Sequence, residues 1–318
     1  MGEISSIRFK MIYFFILTLL SFNLADYLGG YAGAGFRYGT DARSMALGNA
    51  IISAQNKGFN AFSNPALLTK VENREIGLTQ FSLSLDRYIQ VLSLSQSIND
   101  DAGVSLSFFN SGVNSIEGKD FTNQSTGTFS SNEGFIMLSI GADVTTKLDL
   151  GLNVKTVFSS IDQYSADGIS ADLGLIYNFN EKLTFGIKMS DFFGKYTWDG
   201  LDESSASFEE DIPSLNSLGI QISPKEKIEV FYSMDLISIM GSSFYRNRFG
   251  LEFEKQKYSF RFGAVQSSSV DKIDFRYLIG FGSHVGSFQG NKVKLNYCID
   301  FGKENEGISN LFTLTFEK

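Results

Sequence analysis

What most restricts this chain is an alternation of apolar and polar residues sustained over unusually long segments. In one of them Leu148, Leu150, Leu152, Val154 and Phe158 share a phase, and Asp149, Gly151, Asn153 and Lys155 share the other. The same pattern places Ile169, Ala171, Leu173, Leu175 and Tyr177 against Ser170, Asp172, Gly174 and Asn178. Ile228, Val230, Tyr232, Met234 and Leu236 likewise oppose Glu229, Ser233 and Asp235, and Val293, Leu295, Tyr297, Ile299 and Phe301 oppose Lys294, Asn296 and Asp300. Period two is the mark of a strand with one oily and one wet face. A soluble sandwich would hide the oily face, but its strands average about five or six residues. These run about nine to eleven, the length a tilted strand needs to cross a bilayer.

About fourteen such segments follow one another, near 76–85, 88–97, 101–109, 133–144, 148–159, 168–179, 183–191, 213–223, 228–237, 245–254, 258–266, 272–284, 292–302 and 308–317. Their connections sort into two kinds. Tight, charged gaps such as Asn180-Glu181-Lys182 and Lys255-Gln256-Lys257 alternate with longer ones, the largest being Asn110 to Asn132 and Phe192 to Ile212. Short turns on one rim and longer loops on the other characterise an outer-membrane barrel. Two gaps break the rule: Asp86-Arg87 is short where a loop is due, and Val285 to Asn291 is long where a turn is due. The fold expected is all-β: a transmembrane antiparallel β-barrel of about fourteen strands over residues 75–318, in the cell outer membrane and in contact with its lipid.

Composition agrees. The chain has 31 Phe, 13 Tyr and 31 Gly, but one His, one Cys, one Trp and three Pro, a balance that favours strands. One cysteine, Cys298, allows no internal disulfide, and a net charge of −8 without a basic cluster argues against nucleic acid as a partner. His284, the only histidine, has no carboxylate neighbour in FGSHVGSF with which to form a catalytic pair. No enzyme activity, metal site or cofactor is expected; the acidic run Asp199 to Asp211 offers oxygen ligands of the calcium type but reads better as a solvated loop.

The first 25 residues read as a secretory signal: Arg8 and Lys10 precede the apolar stretch Met11 to Phe22, too short to span as a helix. Residues 26–74 read as an N-terminal plug. Asp41 is placed to cap a short helix with Ala42, Ala46, Ala50 and Ala54 at helical spacing, and Asn64-Pro65 makes a hard corner before the first strand. The wet phase of the strands carries Lys155, Asp172, Lys188, Glu229, Asp235, Arg248, Glu252, Arg261, Asp274, Arg276, Lys294 and Asp300, which point into the lumen if the apolar phase meets lipid. Such charges need partners or water; Arg248 with Glu252 and Arg261 with Asp274 are the pairs suggested. An apolar ligand pocket is expected beside the plug, from Phe59, Phe62, Leu67 and Leu68. A soluble secreted β-sandwich adhesin is the alternative if the apolar faces turn inward.

The order GTDARSMALGNAIISA then NAFSNPALL resembles the N-terminus of the PorV/PorQ family of FadL-like outer-membrane proteins. Asn64, Pro65 and Ala66 match its Asn-Pro-Ala corner, although Leu67 replaces the glycine that usually follows. Ile212-Pro213 before LNSLGIQIS, YSMDL (232–236), RFGLEF (248–253), FRFGA (260–264) and LNY (295–297) continue the resemblance. The last strand, NLFTLTFEK, resembles the signal read by the outer-membrane assembly machinery. The resemblance implies a FadL-like barrel closed by an N-terminal hatch. It further implies help in protein export or surface attachment of the type IX secretion kind, with cargo proteins or secretion subunits as partners. The alternative it implies is transport of hydrophobic small molecules.

Overall fold

The computed structural model describes residues 30–199, 206–239, 242–268, 273–302 and 307–318; the expected signal segment 1–25 lies outside them. The strands are β1 (Arg74–Ser82), β2 (Arg87–Asn99), β3 (Ala102–Lys119), β4 (Ser125–Thr145), β5 (Leu148–Ile161), β6 (Tyr164–Asn180) and β7 (Leu183–Trp198), then β8 (Phe208–Asp211), β9 (Leu215–Lys225), β10 (Ile228–Ile239), β11 (Ser242–Lys255), β12 (Tyr258–Ser268), β13 (Ile273–Phe288), β14 (Asn291–Asp300) and β15 (Ser309–Glu317). Each pairs antiparallel with its neighbour, and β15 pairs with β1 from Glu75↔Glu317 to Ser82↔Asn310. β8 is a four-residue flap that pairs only with the tip of β7; without it fourteen strands close the wall. Closure leaves no edge, which a sheet in hydrocarbon requires.

Leu92, Leu94, Leu106, Ile136, Leu138, Ile140, Leu152 and Val154 are exposed on the outside, while Ser93, Ser95, Ser105, Ser107, Ser139, Asn153 and Lys155, one residue out of phase, are buried inside. The oily face therefore looks outward, and the protein is an outer-membrane barrel. A soluble sandwich with those side chains at its centre is excluded.

The rims differ, but less in loop length than expected, since β5 and β6 join on the loop rim through only residues 162–163; both irregular gaps resolve. β13 runs on past a bulge at His284/Gly286 to a two-residue turn, Gln289-Gly290, so the turn rim is uniformly tight. The β1–β2 loop occupies residues 83–86. Asn110 to Asn132 is not mainly loop: β3 and β4 continue through it as a hairpin of 18- and 21-residue strands, because backbone bonds propagate a ladder beyond the membrane where loop sequence allows it. β7 is irregular. Its register with β6 slips between Ile169 and Ala171 and again between Ala171 and Leu173, with Asp191 and Phe193 at φ 54° and 48°. The double bulge turns Asp191 into the lumen, fully buried, and sends Phe193 outward.

Residues 30–73 fill the interior. They form a 3₁₀ turn, η1 (Ala34–Arg37), two short helices, α1 (Ala42–Ala46) and α2 (Asn60–Ser63), and a second 3₁₀ turn, η2 (Pro65–Lys70). Asp41 caps α1 through Ser44 N–H at 2.9 Å. The helix ends earlier than the alanine spacing suggests, because Gly48 and Asn49 take left-handed backbone at φ 65° and 56°, and Ala50 and Ala54 pack from irregular chain.

An outward Leu138→Arg should lower the unfolding free energy in lipid vesicles by about 2–4 kcal/mol, and Thr128→Arg, on the hairpin tip, by about 0–1 kcal/mol. Equal losses in denaturant titrations would place Leu138 outside hydrocarbon.

Candidate functional site: the seat of the plug

The plug touches the wall through backbone, and the wall makes room for it with glycine. Gly103, Gly141, Gly151 and Gly174 stand in direct register across β3, β4, β5 and β6, under η2. A Cβ on Gly141 would lie 2.5 Å from Pro65 O and 3.0 Å from Leu68 Cβ. Gly186 and Gly219, paired across β7 and β9, approach Ile52, and Gly250 and Gly263, paired across β11 and β12, approach Leu47 and Gly48. Alternation does not flag these residues, since glycine reads as neutral; their sequence signal is that glycines recur on the wet phase of strand after strand.

Asn64 closes the corner. Its backbone is extended and its side chain accepts from Ala66 N–H at 3.1 Å and donates to Ile52 O, Leu175 O and Ile187 O at 3.1–3.2 Å. Pro65 opens η2, where its missing N–H costs nothing, and Ala66 is fully buried against the wall.

One half of the seat is ionic. Lys155 bridges Asp172 at 2.6 Å and Asp191 at 2.7 Å; Arg37 of η1 reaches Asp191 at 2.6 Å and Pro213 O at 2.7 Å. Lys188 donates to Phe62 O at 2.5 Å and lies 3.8 Å from Asp172. Arg246 and Arg248 share Asp235, at 3.1 and 2.5 Å. Arg43 of α1 pairs with Glu252 at 2.6 Å, which also holds Arg261 at 2.6 Å. Glu229 stands 3.8 Å from Arg43, and Lys294 3.8 Å from Glu254. Arg276 and Asp300 are bonded to each other, and Tyr38 donates to Asp300 at 2.7 Å; Asp274 is half-buried near the loop rim. Two expected pairs are corrected: Arg248 bonds Asp235 rather than Glu252, and Arg261 bonds Glu252 rather than Asp274. Arg248 and Glu252 lie four residues apart on one strand, roughly 13 Å. Arg261 faces Gly280 whereas Asp274 faces Ser267, six residues up the ladder.

Sequence reading passed over the anchors on the plug itself. Glu133 accepts Gly33 N–H at 3.1 Å and Gly35 N–H, Ala42 N–H donates to Thr313 Oγ1 at 2.9 Å, and Gly58 N–H to Glu75 at 2.8 Å. Burial alone would lower the basicity of Lys57, but its bond to Glu317 at 2.8 Å more than offsets this and its pKa rises.

The other half is apolar. Phe36 of η1 meets Phe109 and Phe135 edge-on at 5.9 and 5.0 Å, Phe135 stands 6.1 Å from Phe62, and Phe62 is 6.3 Å from Phe59. Phe59 and Phe62 thus belong to a ladder of rings, whereas Leu68 seats beside Gly141 and Leu67 packs with Ala66 and Ile176. Above the plug, on the loop side, lies a cavity of about 660 Å³ lined by Tyr31, Tyr38, Leu83, Tyr88, Ile89, Tyr196 and Trp198 together with several arginines. Below it, on the turn side, a vestibule of about 810 Å³ is lined by charged groups and by two of the four expected pocket residues, Phe59 and Leu67.

No family model matches the chain, and no curated protein does. Solved structures match its fold over nearly their whole length. They include a CymD monoaromatic hydrocarbon channel (14% identity, 88% of this chain and 97% of that one, TM-score 0.64) and the toluene transporter TodX of P. putida (14%, 88% and 98%, 0.64). A FadL homologue of Pseudomonas aeruginosa (13%, 87% and 97%, 0.63) is a third. The architecture is therefore that of FadL-like outer-membrane barrels, and the PorV/PorQ resemblance rests on its motifs alone.

Gly141→Val should displace η2 and leave the barrel closed. In a Cys298→Ser background, Ala66→Cys is expected to resist a water-soluble maleimide until Gly141→Val is added, after which it labels; unchanged protection would mean that the glycine row does not set the fit.

Proposed function

We propose that the protein passes hydrophobic small molecules across the outer membrane, with residues 30–73 as the movable obstruction. The observation that carries this reading is the ring ladder. Phe109, Phe36, Phe135, Phe62 and Phe59 form an apolar seam between plug and wall that leads from the level of η1 down to the turn-side vestibule. At its upper end, Ile89 belongs to the same apolar cluster and lines the loop-side cavity, whose size suits a small organic molecule. Parting the seam separates rings at the cost of the bonds from Gly33 and Gly35 N–H to Glu133 and from Lys188 to Phe62 O, whereas opening the ionic half exposes many more buried charges, so the seam is the cheaper place to part. Solved neighbours described as hydrocarbon channels and toluene transporters support the same reading by fold. A role in protein export has the motif order as its support, and no feature of the lumen adds to it.

Plug movement is tested by tethering. Gly35→Cys with Ser111→Cys, placed where a side chain on Gly35 of η1 would meet Ser111 of β3 on the sliding side, should when oxidised in a Cys298→Ser background stop uptake of labelled toluene by cells expressing the protein, and reduction should restore it. Uptake equal to that of cells without the protein, tethered or free, would remove the proposal.

A further inference from the structure

Between the loop-side cavity and the plug floor lies a chamber of about 110 Å³, and its walls carry more positive than negative charge. Arg37, Lys155, Lys188 and Arg248 line it against Asp172, Asp191 and Asp235, and Asp235 is shared with Arg246. Five cations thus divide three carboxylates, and among the described residues no other carboxylate lies within ion-pair distance of them. Two of the guanidinium groups are also incompletely bonded: the Nε–H of Arg37 and that of Arg248 are buried without a partner, although their side chains are only 7% and 8% exposed. A buried donor without an acceptor costs about 1–3 kcal/mol, more when charged, and an uncompensated buried charge costs several. Water would satisfy the donors and leave the charge; a monovalent anion satisfies the donors and offsets one of the two unmatched charges.

We propose that this chamber binds a small monovalent inorganic anion of the size of chloride, held on the Nε–H groups of Arg37 and Arg248. The site joins the plug to the wall, since Arg37 belongs to η1 and Arg248 to β11. Its occupancy therefore ties the plug in place, and the inference stands whether or not toluene is a substrate.

Crystals of the intact protein grown in sodium bromide should show an anomalous peak in the chamber, within hydrogen-bond reach of Arg248. In detergent, the melting temperature should be higher in sodium chloride than in sodium gluconate at equal ionic strength. The difference should saturate with chloride and vanish in Arg248→Gln or Arg37→Gln. A chamber holding only water, with no bromide signal in the native protein, overturns the proposal, as does a chloride effect that survives both substitutions. Should neither variant fold, the bromide map of the native protein decides alone.

Discussion

Every backbone group of a sheet in hydrocarbon must find its partner within the sheet, and the fourteen-strand wall follows from that demand. Once β15 has bonded β1, the wall has no edge, but closure creates a second problem. Fourteen strands enclose more space than wall side chains alone fill, because the inward phase is rich in serine and glycine, as in Ser93, Ser105, Ser107, Gly141 and Gly151. The interior must then be water or chain. Residues 30–73 supply the chain, and the small inward residues are what let their backbone come close.

Burying charge on both sides of that contact fixes the plug in rotation as well as depth. Arg37 and Arg43 each reach a carboxylate on a different strand, Asp191 on β7 and Glu252 on β11, so the plug cannot turn without stranding an ion. The double bulge in β7 belongs to the same arrangement. A regular strand would send Asp191 and Phe193 to the same face; two non-glycine residues in left-handed backbone are tolerated because the carboxylate they deliver is held by Arg37, Lys155 and Ser170.

Much of the wall was legible in the sequence, since a period of two survives any uncertainty about register. So were the cap at Asp41 and the corner at Asn64, which are local and follow from side-chain chemistry over three residues. Ion-pair partners on neighbouring strands were not. Arg248 meets Asp235 only because β10 and β11 pair Ser233 with Arg248, and a shift of two residues would have offered another acid. The glycine row was hidden for a related reason: a residue without a side chain gives no phase, and its meaning arises only when the strands that bear it are aligned. Of the apolar pocket expected from Phe59, Phe62, Leu67 and Leu68, Phe59 and Leu67 line the turn-side vestibule among charged groups, while Phe62 and Leu68 pack against the wall, because oily residues on a plug are satisfied there first.

The lumen is divided, and the division bears on how an obstructed barrel could open. On the side of β5 to β14 the plug is held by bonds that are directional and costly to break singly, since each leaves a buried ion behind. On the side of β3 and β4 it is held chiefly by ring contacts, which weaken gradually and exchange one neighbour for another, with the two bonds from Gly33 and Gly35 N–H to Glu133 beside them. A displacing force therefore meets a hinge on the ionic side and a sliding surface on the aromatic side. The plug would swing away from Phe109 and Phe135 while Arg43 keeps Glu252. If the passenger is apolar, as proposed, a molecule in the upper cavity would provide that force by binding in place of the rings, and the plug's weakest contacts would be the ones it can replace.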